Sequence, residues 1–112
     1  MLYIGNSSDS SSGTFFRGML ALKVQSDCTL ALAWQQTVGP NQTSASPPTV
    51  ANGVVYYGDG YGNTEFAFNA ATGTELWNSG SSISGGIYAA PAVVNGKLYV
   101  GAWDHKLYAF GP

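Results

Sequence analysis

His105 is the single histidine of this chain and follows Asp104, a pairing from which a general base or a metal ligand could be built. A nucleophilic triad needs that base aimed at a serine and oriented by a third group, and no serine stands in a Gly-x-Ser-x-Gly elbow. Asp104 and His105 lie between two apolar runs, and a plain turn is the preferred reading. Asp59, Asn63 and Glu65 place three oxygen ligands within seven residues, the kind of set calcium favours. The acid order of a calcium loop, with its turn glycine and distant bidentate glutamate, is missing, so a glycine-rich hairpin turn is preferred there too. Gly58-x-Gly60-x-Gly62 lacks the Gly-x-Gly-x-x-Gly spacing and opens no helix, which removes a phosphate cradle. Cys28 is the only cysteine, so neither an internal disulfide nor a zinc site of several thiolates can form. No catalytic, cofactor-binding or metal-binding residue is expected in this chain.

Composition narrows the partners. Arg17, Lys23, Lys97 and Lys106 are the only basic residues and the net charge is −2, which leaves no electrostatic footprint for nucleic acid. No segment approaches the ~20 consecutive apolar residues of a membrane helix. Charged residues make up 9% of the chain, aromatics 13%, and glycines number 15. This is the profile of a sheet-rich protein with tight turns and a weakly charged surface, as in exported proteins. A periplasmic or extracellular location is expected, with the export signal on sequence outside this chain, because Met1–Gly5 has no signal-peptide character.

The elements that must carry these residues are set by an internal repeat. Pro48, Val50, Asn52, Gly53, Val55, Tyr56 and Gly58 return as Pro91, Val93, Asn95, Gly96, Leu98, Tyr99 and Gly101, and Trp34 returns as Trp77, all at an offset of 43 residues. Repeats of this length belong to solenoids and propellers, whose units cannot bury their own faces. Asn52-Gly53 and Asn95-Gly96 sit between apolar runs and each signals a tight antiparallel hairpin. The strands that follow, Val54–Tyr57 and Lys97–Val100, carry large side chains on both faces and are expected to be buried from both sides. Further strands are expected through Phe66–Phe68, Glu75–Trp77 and Leu107–Phe110. Leu2-Tyr3-Ile4-Gly5, Leu20-Ala21-Leu22 and Trp34 repeat the same plan earlier, with an inserted serine-rich loop over 6–14 that is expected to be flexible.

Four strands per unit, labelled a to d, give a chain that reads b-c-d, a-b-c-d, a-b-c. The expected units are a partial one over 1–36, a complete one over 46–78 and a partial one over 88–112. The expected fold is all-β: a partial β-propeller of about two and a half four-stranded antiparallel blades, part of a larger ring.

From Ala67 to Trp77 the sequence resembles the tryptophan-docking motif of the pyrroloquinoline-quinone-type (quinoprotein-like) propeller repeat, Ala-x-Asp-x-x-Thr-Gly-x-x-x-Trp, with Asn69 in place of the acid. Gly96–Phe110 resembles the same repeat, with His105 where the family has a turn glycine. The resemblance implies that Ala67, Asn69, Thr72, Gly73 and Trp77, with Ala21 and Trp34 in the first unit, lock one blade to the next. The repeat occurs in quinoprotein dehydrogenases, in a propeller lipoprotein of the outer-membrane barrel-assembly machinery and in many exported proteins. It therefore implies a fold more than a chemistry. The expected role is a binding or scaffold segment, partnered by the remaining blades of its parent and by a protein or another ligand. The alternative is a C-terminal piece of a quinoprotein dehydrogenase, whose pyrroloquinoline quinone and calcium would belong to the parent ring. Trp103, on a loop tip without a repeat counterpart, is the expected surface contact.

Overall fold

A computed structural model describes residues 1–111 as ten β-strands and no helix. They are β1 (Leu2–Asn6), β2 (Gly18–Val24), β3 (Leu30–Thr37), β4 (Thr49–Ala51), β5 (Val54–Asp59), β6 (Thr64–Asn69), β7 (Glu75–Asn78), β8 (Ala92–Val94), β9 (Lys97–Gly101) and β10 (Leu107–Phe110). Pro112, the last residue of the expected third unit, lies outside the described residues. The strands form three antiparallel meanders in chain order, β1-β2-β3, β4-β5-β6-β7 and β8-β9-β10. The b-c-d, a-b-c-d, a-b-c plan is therefore the observed topology, a partial β-propeller.

Turn chemistry explains the strand boundaries. Asn52 and Gly53 take φ of 51° and 77°, and Asn95 and Gly96 take 52° and 75°, the paired left-handed residues a two-residue hairpin turn needs. His105, at the position of the family's turn glycine, sits at φ 67°. Asn69 accepts from the amides of Ala71 and Thr72 through Oδ1, and Gly73 at φ 79° returns the chain into β7. The serine-rich insertion, expected to be flexible, is instead tied down. Arg17 pairs with Asp9 at 3.0 Å, and Ser10 Oγ accepts from the amides of Thr14 and Phe15.

The middle sheet is packed on both faces. Val55, Tyr57, Phe66 and Phe68 meet Tyr3, Met19 and Trp34 of the first sheet. Tyr56, on the opposite face of β5, joins Leu98, Val100, Tyr108 and Phe110 of the third sheet, with Ile83 and Ile87 of the connection between them. The third sheet differs from expectation: Leu98 and Val100 are buried, whereas Lys97 and Gly101 are exposed. Burial from two sides holds for β5 and not for β9, because no described element covers the outer face of β9.

Candidate functional site

The chain builds the same seam twice. In each, one face of a sheet presents Tyr, Gly, a large side chain, Ala and Trp. These are Tyr3, Gly5, Met19, Ala21 and Trp34 in the first seam, and Tyr56, Gly58, Glu65, Ala67 and Trp77 in the second. Strand register fixes the sets, since Gly5 faces Met19 and Ala21 faces Trp34, as Gly58 faces Glu65 and Ala67 faces Trp77.

Of the residues expected to lock the blades, Ala21, Trp34, Ala67 and Trp77 stand at these positions, while Asn69, Thr72 and Gly73 lie at the turn between β6 and β7. Trp34 reaches from β3 to the turn after β6, where its Nε1 donates to the carbonyl of Ala70 at 2.9 Å. The Tyr3 hydroxyl donates to the same oxygen at 2.9 Å. A Cβ added to Gly73 would lie 2.5 Å from Cδ2 of Trp34, so the indole lies flush on glycine backbone. Gln36 closes the contact by donating to the Gly73 carbonyl at 2.6 Å. In the second seam Trp77 meets Phe110 edge-on with centroids 5.0 Å apart, as Trp34 meets Phe68 at 6.2 Å. Trp77 is 36% exposed and lines a cavity of about 420 Å³ together with Tyr56, Leu76, Leu98 and Phe110. Trp77 is therefore the more exposed of the two, Trp34 being half-buried.

Glycines in the b strands make the sheets' close approach feasible. A Cβ on Gly5 would strike the Ser46 carbonyl and come 2.9 Å from the Tyr57 ring. One on Gly58 would strike Ile87 and come 2.7 Å from Glu65 Oε2. Gly101, third in the series, has open space there.

The loops at the opposite end from the Asn-Gly turns hold the polar groups. Thr43, Ser44, Ser46 and Asp59 are buried beside Tyr57. Asp59 Oδ1 accepts from Thr43 Oγ1 at 2.6 Å and from the Tyr61 amide at 3.0 Å. Tyr57 donates to the Ser44 carbonyl. Burial pushes the Tyr57 hydroxyl up to about 12, with Asp59 and Glu65 adding to the rise. Asp59 and Glu65, grouped by the sequence as candidate calcium ligands, are on opposite faces of the middle sheet and do not converge.

On the same end of the molecule Trp103 is 73% exposed and Tyr88 39%, their ring centroids 4.5 Å apart. Tyr88 rests on glycines, since a Cβ on Gly60 or Gly86 would each come within 2.6 Å of its ring. The Trp103 amide donates to the Gly86 carbonyl at 3.0 Å. Tyr88 escaped sequence reasoning because it lies in the irregular connection between units, where no periodicity marks a partner. Asp104 is held by its own turn, accepting from the Tyr108 hydroxyl and the Lys106 amide. Those hydrogen bonds hold its carboxyl below the usual range.

Three packed meanders with a repeated tryptophan seam define a pyrroloquinoline-quinone-type β-propeller. Residues 27–111 match the family described as "Outer membrane protein assembly factor BamB", and the chain belongs to it. Over 89 residues it is 32% identical to the dehydrogenase subunit of a quinone alcohol dehydrogenase from Gluconobacter oxydans. It is likewise 32% identical over 89 residues to a quinohemoprotein alcohol dehydrogenase from Comamonas testosteroni. Each alignment covers 71% of this chain and 12% of the relative, so the chain spans about an eighth of their length. A europium-containing methanol dehydrogenase shares the fold with a TM-score of 0.67 at 21% identity, over 83% of this chain and 19% of that one.

Proposed function

We propose that this chain is a blade segment of an exported propeller that serves as a binding or scaffold module and performs no catalysis of its own. The observation that carries this reading is the use of its six acids. Asp9 pairs with Arg17, Asp27 accepts from Thr29, Asp59 from Thr43, Glu75 from Asn78 and Asp104 from Tyr108. Glu65 is fully buried. Five carboxylates are thus engaged by their own turns and loops, and none converges with another on a shared cavity. A quinone held with a divalent cation needs such convergence, so the residues present do not fit that cofactor.

The exposed Trp103 and Tyr88 supply a contact surface suited to a partner. Trp34 and Trp77, with Ala21, Ala67, Asn69, Thr72 and Gly73, act as the blade-locking set, and the neighbouring blades of the parent are the first partners. The family match and the weakly charged surface support a periplasmic or extracellular location. A second reading, a piece of a quinone-dependent dehydrogenase, is favoured by the 32% identity to two such enzymes.

Titrating pyrroloquinoline quinone with calcium into the purified chain, followed by absorbance, is expected to give no saturable change. Saturable micromolar binding would favour the second reading and overturn the first.

A further inference from the structure

Glu65 occupies a place that the repeat treats as core. Its counterpart in the first sheet is Met19, 0% exposed against Val55 and Tyr57, and its counterpart in the third is Leu107, 72% exposed where no described element covers it. Glu65 itself is 0% exposed, and neither carboxyl oxygen has a hydrogen-bond partner among the described residues. Its walls are Gly58 and Ile87, while the adjacent Ser79 hydroxyl accepts from the Glu65 amide at 2.9 Å and makes no hydrogen bond to the carboxyl. In the first seam the facing tyrosine, Tyr57, offers a hydroxyl. At the corresponding place in the second seam the repeat has Val100, which offers none.

Few titratable groups surround it. On β5, Tyr57 and Asp59 are turned toward the first sheet, and Tyr56 lines the opposite end of the seam. Glu75 of β7 is exposed, and Tyr88 of the connection rests on Gly60 and Gly86. On the third sheet the inward-facing Tyr108 donates to Asp104. Lys97 and Lys106 are exposed. Among the described residues no cation pairs with Glu65.

We propose that Glu65 is a proton-operated release in the seam between the second and third sheets, which closes over the neutral acid and opens when the carboxyl ionises. Removing an unpaired carboxylate from water costs far more than burying the acid form, and here nothing repays the cost. Burial alone pushes Glu65 up to about 8 from its ordinary 4.5. In an opened seam the carboxyl regains water and its ordinary value, so the closed state binds the proton more tightly. The closed seam is therefore most stable below the ordinary value and weakens as pH rises toward 8. The ratio of open to closed grows about tenfold per pH unit across that window and levels above it.

Native-state hydrogen exchange on the whole chain, corrected for intrinsic rates, tests this. The amides of Leu98, Tyr99 and Val100 report the third sheet, and those of Leu20 and Ala21 the first. The expected result is an opening constant at the third sheet that climbs about tenfold per unit between roughly pH 5 and pH 8, with little change at the first. Glu65→Gln, and Glu65→Met as the Met19 mimic, are expected to abolish the slope. A flat third-sheet profile in the parent chain, an equal slope in both sheets, or a slope that survives in either variant would overturn the proposal.

Discussion

Replacing Trp34 with alanine is expected to destabilise the chain by about 3–5 kcal/mol, the range for truncating a well-packed tryptophan. The indole spans two sheets, packs on Phe68, and lies flush on the Gly73 backbone. Truncation also strips Ala70 of one of the two hydrogen bonds its carbonyl accepts. Neighbours cannot collapse into the gap, because one wall is glycine backbone already at its limit of approach. Trp77→Ala is expected to cost less, since its indole is 36% exposed beside a cavity. Urea denaturation of both variants checks the order, and a Trp34→Ala midpoint equal to that of the parent would remove Trp34 from the set of blade locks.

Gly58→Val is expected to cost about 3 kcal/mol, at the upper end for overpacking a filled interior. A β-carbon at that position strikes Ile87 of the following connection and crowds Glu65 on the neighbouring strand, both fully buried. Gly101→Val is the internal control. The same strand position in the third sheet faces open space, and the substitution there should stay within about 0.5 kcal/mol. Equal costs at the two positions would mean that packing between sheets does not decide what these strands tolerate.

Both predictions rest on a fold that is largely legible in the amino-acid sequence. Asn-Gly pairs fix hairpins through backbone torsion, a local property, and the repeat of Trp34 as Trp77 fixes which strands are outermost. The strands of the first sheet, which has no Asn-Gly turn, follow from their match to those of the second. His105 could be read as a turn residue because the repeat assigns it a position that demands a left-handed backbone. Glu65 was not legible. Its spacing from Asp59 and Asn63 groups it with the oxygens of a glycine-rich turn, and glutamate is seldom fully enclosed without a partner. Its burial depends on Gly58 of the neighbouring strand and Ile87 of the later connection, which no local pattern in β6 encodes. The one available signal was its alignment with Met19 and Leu107, two apolar residues at the same strand position. The buried cluster of Thr43, Ser44 and Asp59 was hidden for a related reason, because it gathers the connection between units and the end of β5 around one tyrosine.

The two seams also bear on how such a chain can change over generations. Each sheet meets its successor through the same short set of side chains, and the b-strand glycine recurs at Gly5, Gly58 and Gly101. A gene coding for this pattern repeats the same residue types in register with structural joints. Unequal crossing-over between them would add or delete a whole unit while leaving every joint composed of compatible partners. Blade number can therefore shift in a single genetic event, and the surviving protein would need repair only where one copy has diverged. Glu65 marks such a divergence: a recombinant placing the first unit's Met19 opposite the third sheet would inherit an apolar joint and lose the titratable one.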